Sequence, residues 1–273
     1  MTVKRWKMDA NTGKLLFDRQ FALVDSSGRA LRLCQHPKMG MIRPCIDLET
    51  MAMDVMAPGC PKLTIGIGSE CQISSMKEIK VCGNKCDGNL WGSHYISSWF
   101  TEYLGVQCWL ARSQGVTYST SKMSSASPGS KRSGFENEAP LLLISKNSVE
   151  RLNEILEHQS LQQVNPRYFR PNLVVGNDPD CSCTNPEDQW KSIFIPKRDI
   201  ELLVTGHCAR CSMVDIDPDS GMKGFTLRAL AEYRRKKGQI TFGIFLKILP
   251  RELNQSRQKV ISIEIGDDII IKY

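Results

Sequence analysis

The feature that most limits how this chain can fold is how soon each apolar segment is cut off. Apolar or alternating runs end within a few residues at clusters of Gly, Asn, Asp, Ser or Pro, which leaves room for many short strands and few helices. Lys4 to Met8 reads as a strand, Asn11-Thr12-Gly13 as a turn, and Phe17 to Val24 as a second strand. Asp25-Ser26-Ser27-Gly28 is another turn, Ala30 to Cys34 a further strand, and MAMDVMA and KLTIGIG lie around Pro58-Gly59. Strands this short and closely spaced predict a small barrel or curled sheet. The C-terminal half repeats the pattern: the buried run LLLIS, a strand from Asn172 to Val175, another from Gln239 to Leu249, and the hairpin VISIEI-GDD-IIIKY.

Helical periodicity interrupts this in three places. From Asn89 onward Trp91, Tyr95 and Trp99 share a face up to Gly105, an aromatic stripe of the kind that packs a core. Asn147 and Glu150 resemble a capping box ahead of an apolar face formed by Val149, Leu152, Ile155 and Leu156. Thr226 to Lys237 reads as a helix whose RRKK end suits the negative end of its dipole before Gly238. Ser113 to Ser133, with eight serines and almost nothing apolar, predicts a disordered linker or insertion.

At 273 residues, 41% of them hydrophobic, the chain can bury two modest cores, and two subdomains are expected. Lys and Arg number 36 against 29 Asp and Glu, and the excess of +7 is spread along the chain. That distribution points to an anionic ligand more than to nucleic acid. The first residues, MTVKRWKMDA, lack the apolar region of a secretory signal, and ITFGIFLKIL is too short to span a bilayer and carries Lys247. With eleven cysteines, an odd number, the expectation is reduced thiols and a cytoplasmic protein with no membrane partner.

The chemistry concentrates in Leu203 to Gly221, LVTGHCARCSMVDIDPDSG. Leu203 and Val204 read as a strand that opens at Gly206 into a loop carrying His207, Cys208, Arg210 and Cys211. A second strand through Met213, Val214 and Ile216 stops at Asp217-Pro218-Asp219-Ser220-Gly221. A thiolate is both a nucleophile and a soft-metal ligand, and Arg210 is a permanent cation beside Cys211. The first reading of both cysteines is packing as small hydrophobes; zinc binding, in a four-thiol site completed by Cys181 and Cys183, and redox or other metal chemistry are the alternatives. Cys82 and Cys86 flank a turn with no further ligands close in sequence. Arg170 precedes Pro171, which favours an extended backbone at the mouth of the following strand, where a guanidinium can hold a phosphate or serve a surface salt bridge. Asp18 and Arg19, adjacent within a strand, are expected on opposite faces, or as a hairpin charge pair.

Several of these segments occur in an order that carries a resemblance. NEAPLLLIS, FRPNLVVG, EDQW, GHCARCSMVDIDPDSG, ITFGIFL and the final strands around Gly266-Asp267 resemble the MOSC domain, and within that family the C-terminal part of eukaryotic molybdenum cofactor sulfurase. LLFDRQFALVDSSG and LCQHPKMGMI resemble the β-barrel domain that precedes MOSC. The resemblance implies a mainly β fold with a few helices (α+β) and two β-barrel-like subdomains. It places an N-terminal barrel at residues 1–112, apparently without its first strand, then a serine-rich insertion at 113–133 and a MOSC domain at 134–273. It also implies binding of the molybdenum cofactor, molybdopterin, with Cys211 as metal ligand and catalytic residue. Arg19, Asn137, Glu138, Ala139, Arg170, Asn172, Ala209 and Arg210 match cofactor-contacting positions. The implied activity is sulfuration, the exchange of an oxo for a sulfido ligand that matures xanthine dehydrogenase and aldehyde oxidase. The sulfur donor would be a cysteine desulfurase domain that uses pyridoxal phosphate and is absent from this sequence. A molybdenum-dependent reductase of N-hydroxylated compounds and a zinc-stabilised module without enzyme activity are the alternatives.

Overall fold

The computed structural model describes residues 4–9, 13–68, 73–81, 84–113, 135, 139–176, 183–249 and 260–273. In chain order the first strands are β1 (Arg5–Asp9), β2 (Phe21–Val24), β3 (Arg43–Asp47), β4 (Ala52–Met56), β5 (Leu63–Gly66), β6 (Ile73–Val81), β7 (Asn84–Trp91) and β8 (Trp109–Ser113), with helix α1 (His94–Leu104) before the last. Then follow β9 (Leu141–Ser145), helix α2 (Lys146–His158), β10 (Leu173–Val175), β11 (Ser192–Ile195), β12 (Ile200–Ala209) and helix α3 (Thr226–Arg234). The chain closes with β13 (Arg235–Lys236), β14 (Gln239–Ile248), β15 (Val260–Glu264) and β16 (Ile270–Lys272). No helix among the described residues is long and apolar enough to cross a membrane.

Two compact units form, and neither is continuous in sequence. One comprises Phe17–Asn137 with Asp219–Gly221. It has an antiparallel sheet in the order β2-β8-β7-β6 and a second in the order β3-β4-β5. Strand alternation builds its core: Met53 and Val55 of β4 and Leu63 and Ile65 of β5 are buried while their neighbours turn outward. Helix α1 adds Trp99 and Phe100 to that core. Ser93 caps the helix by accepting from the Ile96 amide, and left-handed Gly105 ends it. The helical periodicity expected from Asn89 starts too early, because Asn89 and Trp91 belong to β7. Arg112 of β8 donates to the Ile67 carbonyl at 2.8 Å and lies over the rings of Phe17, Phe21 and Trp91.

The other unit comprises Met1–Leu16, Glu138–Pro218 and Met222–Tyr273. Its main sheet runs β10-β9-β14-β12-β11-β16, with β13 on β14. The β9 and β10 pair is parallel, and α2 lies between them in sequence, as a parallel pair requires a long crossover. All five residues of β9 are buried, and Leu141 and Leu143 join Ile193, Leu202, Ile244 and Leu246 in one cluster. β1 pairs with β15, Arg5 opposite Glu264, so this N-terminal strand groups with the C-terminal unit.

Several expected elements take another form. Phe17 to Val24 is a strand only from Phe21, because Phe17 and Arg19 are left-handed within a turn. Ala30 makes an isolated bridge to Val24, and Ala30 to Cys34 is not a strand. The N-cap of α2 is Ser145, not Asn147; its hydroxyl accepts from the Ser148 amide. The helix from Thr226 stops at Arg234, because Arg235 and Lys236 turn back as β13 onto β14. The C-terminal strands form but do not pair as a hairpin: β15 lies on β1 and β16 on β11. Residues 114–133 of the serine-rich stretch lie outside the described residues.

The corner between β15 and β16 is held by Asp267. It accepts from Arg198 through two bonds, at 2.9 and 3.1 Å, and from the Glu264 amide at 2.8 Å. The Arg198 bonds hold the Asp267 carboxyl below the usual carboxylate range. A depressed folded pKa stabilises the fold above the unfolded value, about 3.9, and that contribution disappears as pH falls through the folded value. Asp267→Asn should therefore lower the thermal midpoint at neutral pH and flatten its decline below about pH 4. Unfolding scans of both proteins across the acid range check this.

Candidate functional site

The site region grows from an irregularity between two long strands. β12 and β14 pair antiparallel, with His207 opposite Ile244 but Ala209 opposite Thr241, so two steps on β12 match three on β14. Gly243 sits in this bulge at φ 78. A β-carbon there would lie 2.6 Å from Ile144 Cγ2 and 2.7 Å from the Leu143 carbonyl, so the position has no room for a side chain. β12 continues through the first thiol, and Cys208 is therefore on a strand and not on the loop expected after Gly206. Alternation turns Cys208 into a small apolar cluster with Ala139, Leu142 and Phe245, and exposes His207 and Ala209. Cys208 has the packing role that small buried thiols commonly take.

Beyond Ala209 the chain is pinned before it turns. The Arg210 amide donates to the Ile240 carbonyl at 2.8 Å. Its guanidinium donates through Nε and one Nη to the Phe242 carbonyl at the bulge, at 2.8 and 2.6 Å, and through the other Nη to the Phe169 carbonyl at 3.0 Å. It also lies 5.5 Å over the Phe169 ring, which is itself 4.4 Å from the Phe242 ring. Hydrogen bonds to a charged donor contribute about 1.5–3 kcal/mol each. Cys211 follows in extended conformation with its side chain exposed. The expected strand through Met213 is instead a 3-10 turn, Ser212–Asp215, with Val214 and Asp215 buried side by side. Asp215 accepts from the Leu227 amide at 2.7 Å and so caps α3, whose own N-cap Phe225 has no side-chain bond.

Arg170 lies directly after the 3-10 turn Pro166–Phe169, exposed at the mouth of β10. Its backbone is left-handed, φ 54 and ψ 47, and not extended as the following proline predicts. Left-handed backbone costs about 1–2 kcal/mol in a residue with a side chain. Here the Asn165 cap and the buried rings of Tyr168 and Phe169 on the same turn hold it in place. Asn172 donates its amide to Leu142 O at 2.8 Å and accepts the Leu142 amide on its side-chain oxygen at 2.9 Å. Its side chain thus acts as a main-chain ladder and starts the β9–β10 pairing. Ala139 is buried beside Cys208, while Asn137 and Glu138 lie outside the described residues. Arg19 belongs to the other unit; Asp18 and Arg19 form a 2.6 Å ion pair within a turn and do not point to opposite faces of a strand.

Two features escaped sequence reasoning. Arg234 is buried and donates to both oxygens of Asp188, at 2.6 and 2.8 Å, with His207 Nε2 3.6 Å from the same carboxylate. RRKK is therefore not only a helix end, because its first residue is a core ion pair. Beside it Glu187 is buried and accepts from the hydroxyls of Ser145 and Ser148, each at 2.7 Å. The adjacent acids of EDQW, just ahead of the apolar strand SIFI, were the available signal.

Among the described residues the thiols form no metal cage. Cys208 faces an apolar cluster, Cys183 and Cys211 are exposed, Cys181 lies outside the described residues, and among those described no group of three His, Cys, Asp or Glu is placed to hold an ion. What the region offers is one exposed thiol and one exposed guanidinium on anchored turns. That donor set fits a soft metal arriving with its own ligands and a phosphate, and does not fit a metal needing four protein ligands. Cys208→Ser should cost about 1–3 kcal/mol by placing a hydroxyl among apolar groups, and Cys211→Ser less than about 0.5 kcal/mol. Unfolding curves check the energies, and peptide mapping after native alkylation should find Cys211 modified and Cys208 protected.

Comparison with known families gives two matches: the MOSC domain over residues 130–270 and the MOSC N-terminal beta barrel domain over 2–107. Molybdenum cofactor sulfurase of Arabidopsis thaliana is 34% identical over 98% of this chain and 33% of its own length. The same-named proteins of Oryza sativa subsp. japonica and Solanum lycopersicum are 32% and 31% identical, over 90% and 98% of this chain and 30% and 34% of theirs. The chain thus spans about a third of the length of these relatives.

Proposed function

This chain belongs to the MOSC domain family, and on that premise we propose that it binds the molybdenum cofactor and supports its sulfuration. The observation that carries the proposal is the exposed Cys211, the second cysteine of the Cys-Ala-Arg-Cys motif, directly after the anchored Arg210 and two residues past the end of β12. The cofactor, when bound, supplies the centre at which an oxo ligand is exchanged for a sulfido ligand. Cys211, as a thiolate, would hold the metal as its single protein ligand, because Cys208 is committed to the core. Arg170, an exposed residue at the mouth of β10, would grip the phosphate. On the resemblance alone, Arg19, Asn137, Glu138, Ala139 and Ala209 are proposed as further cofactor contacts.

The sulfur would come as a persulfide from a cysteine desulfurase domain that carries pyridoxal phosphate. The matured cofactor would pass to xanthine dehydrogenase and aldehyde oxidase in the cytoplasm. Similarity to proteins named molybdenum cofactor sulfurase along nearly the whole chain supports this over the reductase alternative.

Cys211→Ser, expressed in cells that make the cofactor, should lose essentially all bound molybdenum while its circular dichroism and thermal midpoint stay near the parent's. Elemental analysis of the two purified proteins is the test. Equal molybdenum content in both would rule Cys211 out as the ligand.

A further inference from the structure

We propose that Arg210 is a positioning residue that couples the Cys211 turn to the Arg170 turn, so that the thiol and the phosphate-facing guanidinium are set by one internal side chain. Resemblance alone makes Arg210 a ligand contact, whereas its guanidinium is spent on the protein. Two of its nitrogens share the Phe242 carbonyl and a third reaches the Phe169 carbonyl. Phe169 immediately precedes Arg170 in the chain, and Arg210 immediately precedes Cys211. The two candidate ligand groups are therefore each one residue away from a single 3.0 Å hydrogen bond. The third fixed point is the bulge itself, where Gly243 admits no side chain and the Phe242 carbonyl is presented to the guanidinium.

The planarity of the group matters. A guanidinium can span two carbonyls in its own plane and stack on the Phe169 ring at once, and an ammonium cannot. The tilted rings of Phe169 and Phe242, 4.4 Å apart, pack beside the arrangement within the cluster that also holds Val214 of the Cys211 turn. A shift of the Cys211 turn is thereby transmitted to the left-handed backbone at Arg170. The ligand side of this proposal rests on the cofactor reading above; the coupling of the two turns does not.

Hydrogen exchange resolved by segment, on the ligand-free chain, tests the coupling in the parent, Arg210→Met and Arg210→Lys. In Arg210→Met the amides of 168–172 and of 210–215 should exchange roughly tenfold or more faster, together, while β11 and β16 keep their protection. Arg210→Lys should recover less than about half of the lost protection, although it keeps the charge. Bound molybdenum after purification from cofactor-producing cells should fall about tenfold in Arg210→Met relative to the parent, as expected when ligand groups lose their preorganised geometry. Unchanged exchange, or loosening of only one of the two turns, would overturn the proposal. So would loss of molybdenum with both turns still protected, which would make Arg210 a direct contact. If the parent itself retains no molybdenum, the cofactor reading fails by itself and the exchange data still decide the coupling. Should Arg210→Met not fold, the lysine variant carries the same comparison.

Discussion

The bonds from the Arg210 guanidinium to the carbonyls of Phe242 and Phe169 bring together three parts of the chain that are far apart in sequence. One is the end of β12, one the bulge in β14, and one the turn that leads into β10. Each would be weakly defined alone. A strand end frays, a bulge leaves a carbonyl out of the ladder, and a left-handed arginine before proline is strained. Joined by one half-buried cation and two tilted aromatic rings in contact, each supplies what another lacks: the bulge offers the acceptor, the arginine satisfies it, and the aromatic face covers both. The exposed residues of the region, Ala209, Cys211 and Arg170, lie at the margins of this knot.

The same economy runs through the rest of that unit. Among the described residues buried charges have close partners: Arg234 both oxygens of Asp188, Glu187 the hydroxyls of Ser145 and Ser148, and Glu201 Ser192 and Lys272. Removing one partner from such a pair typically costs about 3–5 kcal/mol because the other charge stays buried. Three of these groups sit where apolar runs meet short turns, so they fix how strands and helices join. The ladder-like side chain of Asn172 works similarly, replacing a main-chain pair at the start of a parallel strand. In the other unit Arg112 under three aromatic rings plays the comparable part.

Much of this fold could be read from local pattern. The runs LLLIS and ITFGIFLKIL, the alternation of MAMDVMA and KLTIGIG, and the amphipathic faces of the helices form as strands and helices close to where periodicity places them, because period and burial are local properties. Mainly β architecture with few helices, in two units, follows from them, and the order of motifs is enough to identify the MOSC and MOSC N-terminal domains. The motif order also points to Cys211, among eleven cysteines, as the residue proposed to hold the metal.

Pairing and side-chain direction were decided only by the tertiary structure. Nothing local distinguishes Cys208 from Cys211; the pleat of β12 and the apolar surface waiting under it bury one and expose the other. Arg210 looks like a free cation beside a thiol until β14 supplies one carbonyl and the 3-10 turn at Pro166–Phe169 supplies a second. The last two strands look like a hairpin, yet they separate onto β1 and β11, partners that lie far away in the chain. Local sequence therefore determined which segments form strands and helices and which family's motifs they carry, because those depend on residue period and identity. Which groups face inward, which charges are consumed by the core, and which thiol remains available depend on contacts between distant segments, and these exist only once the chain has folded.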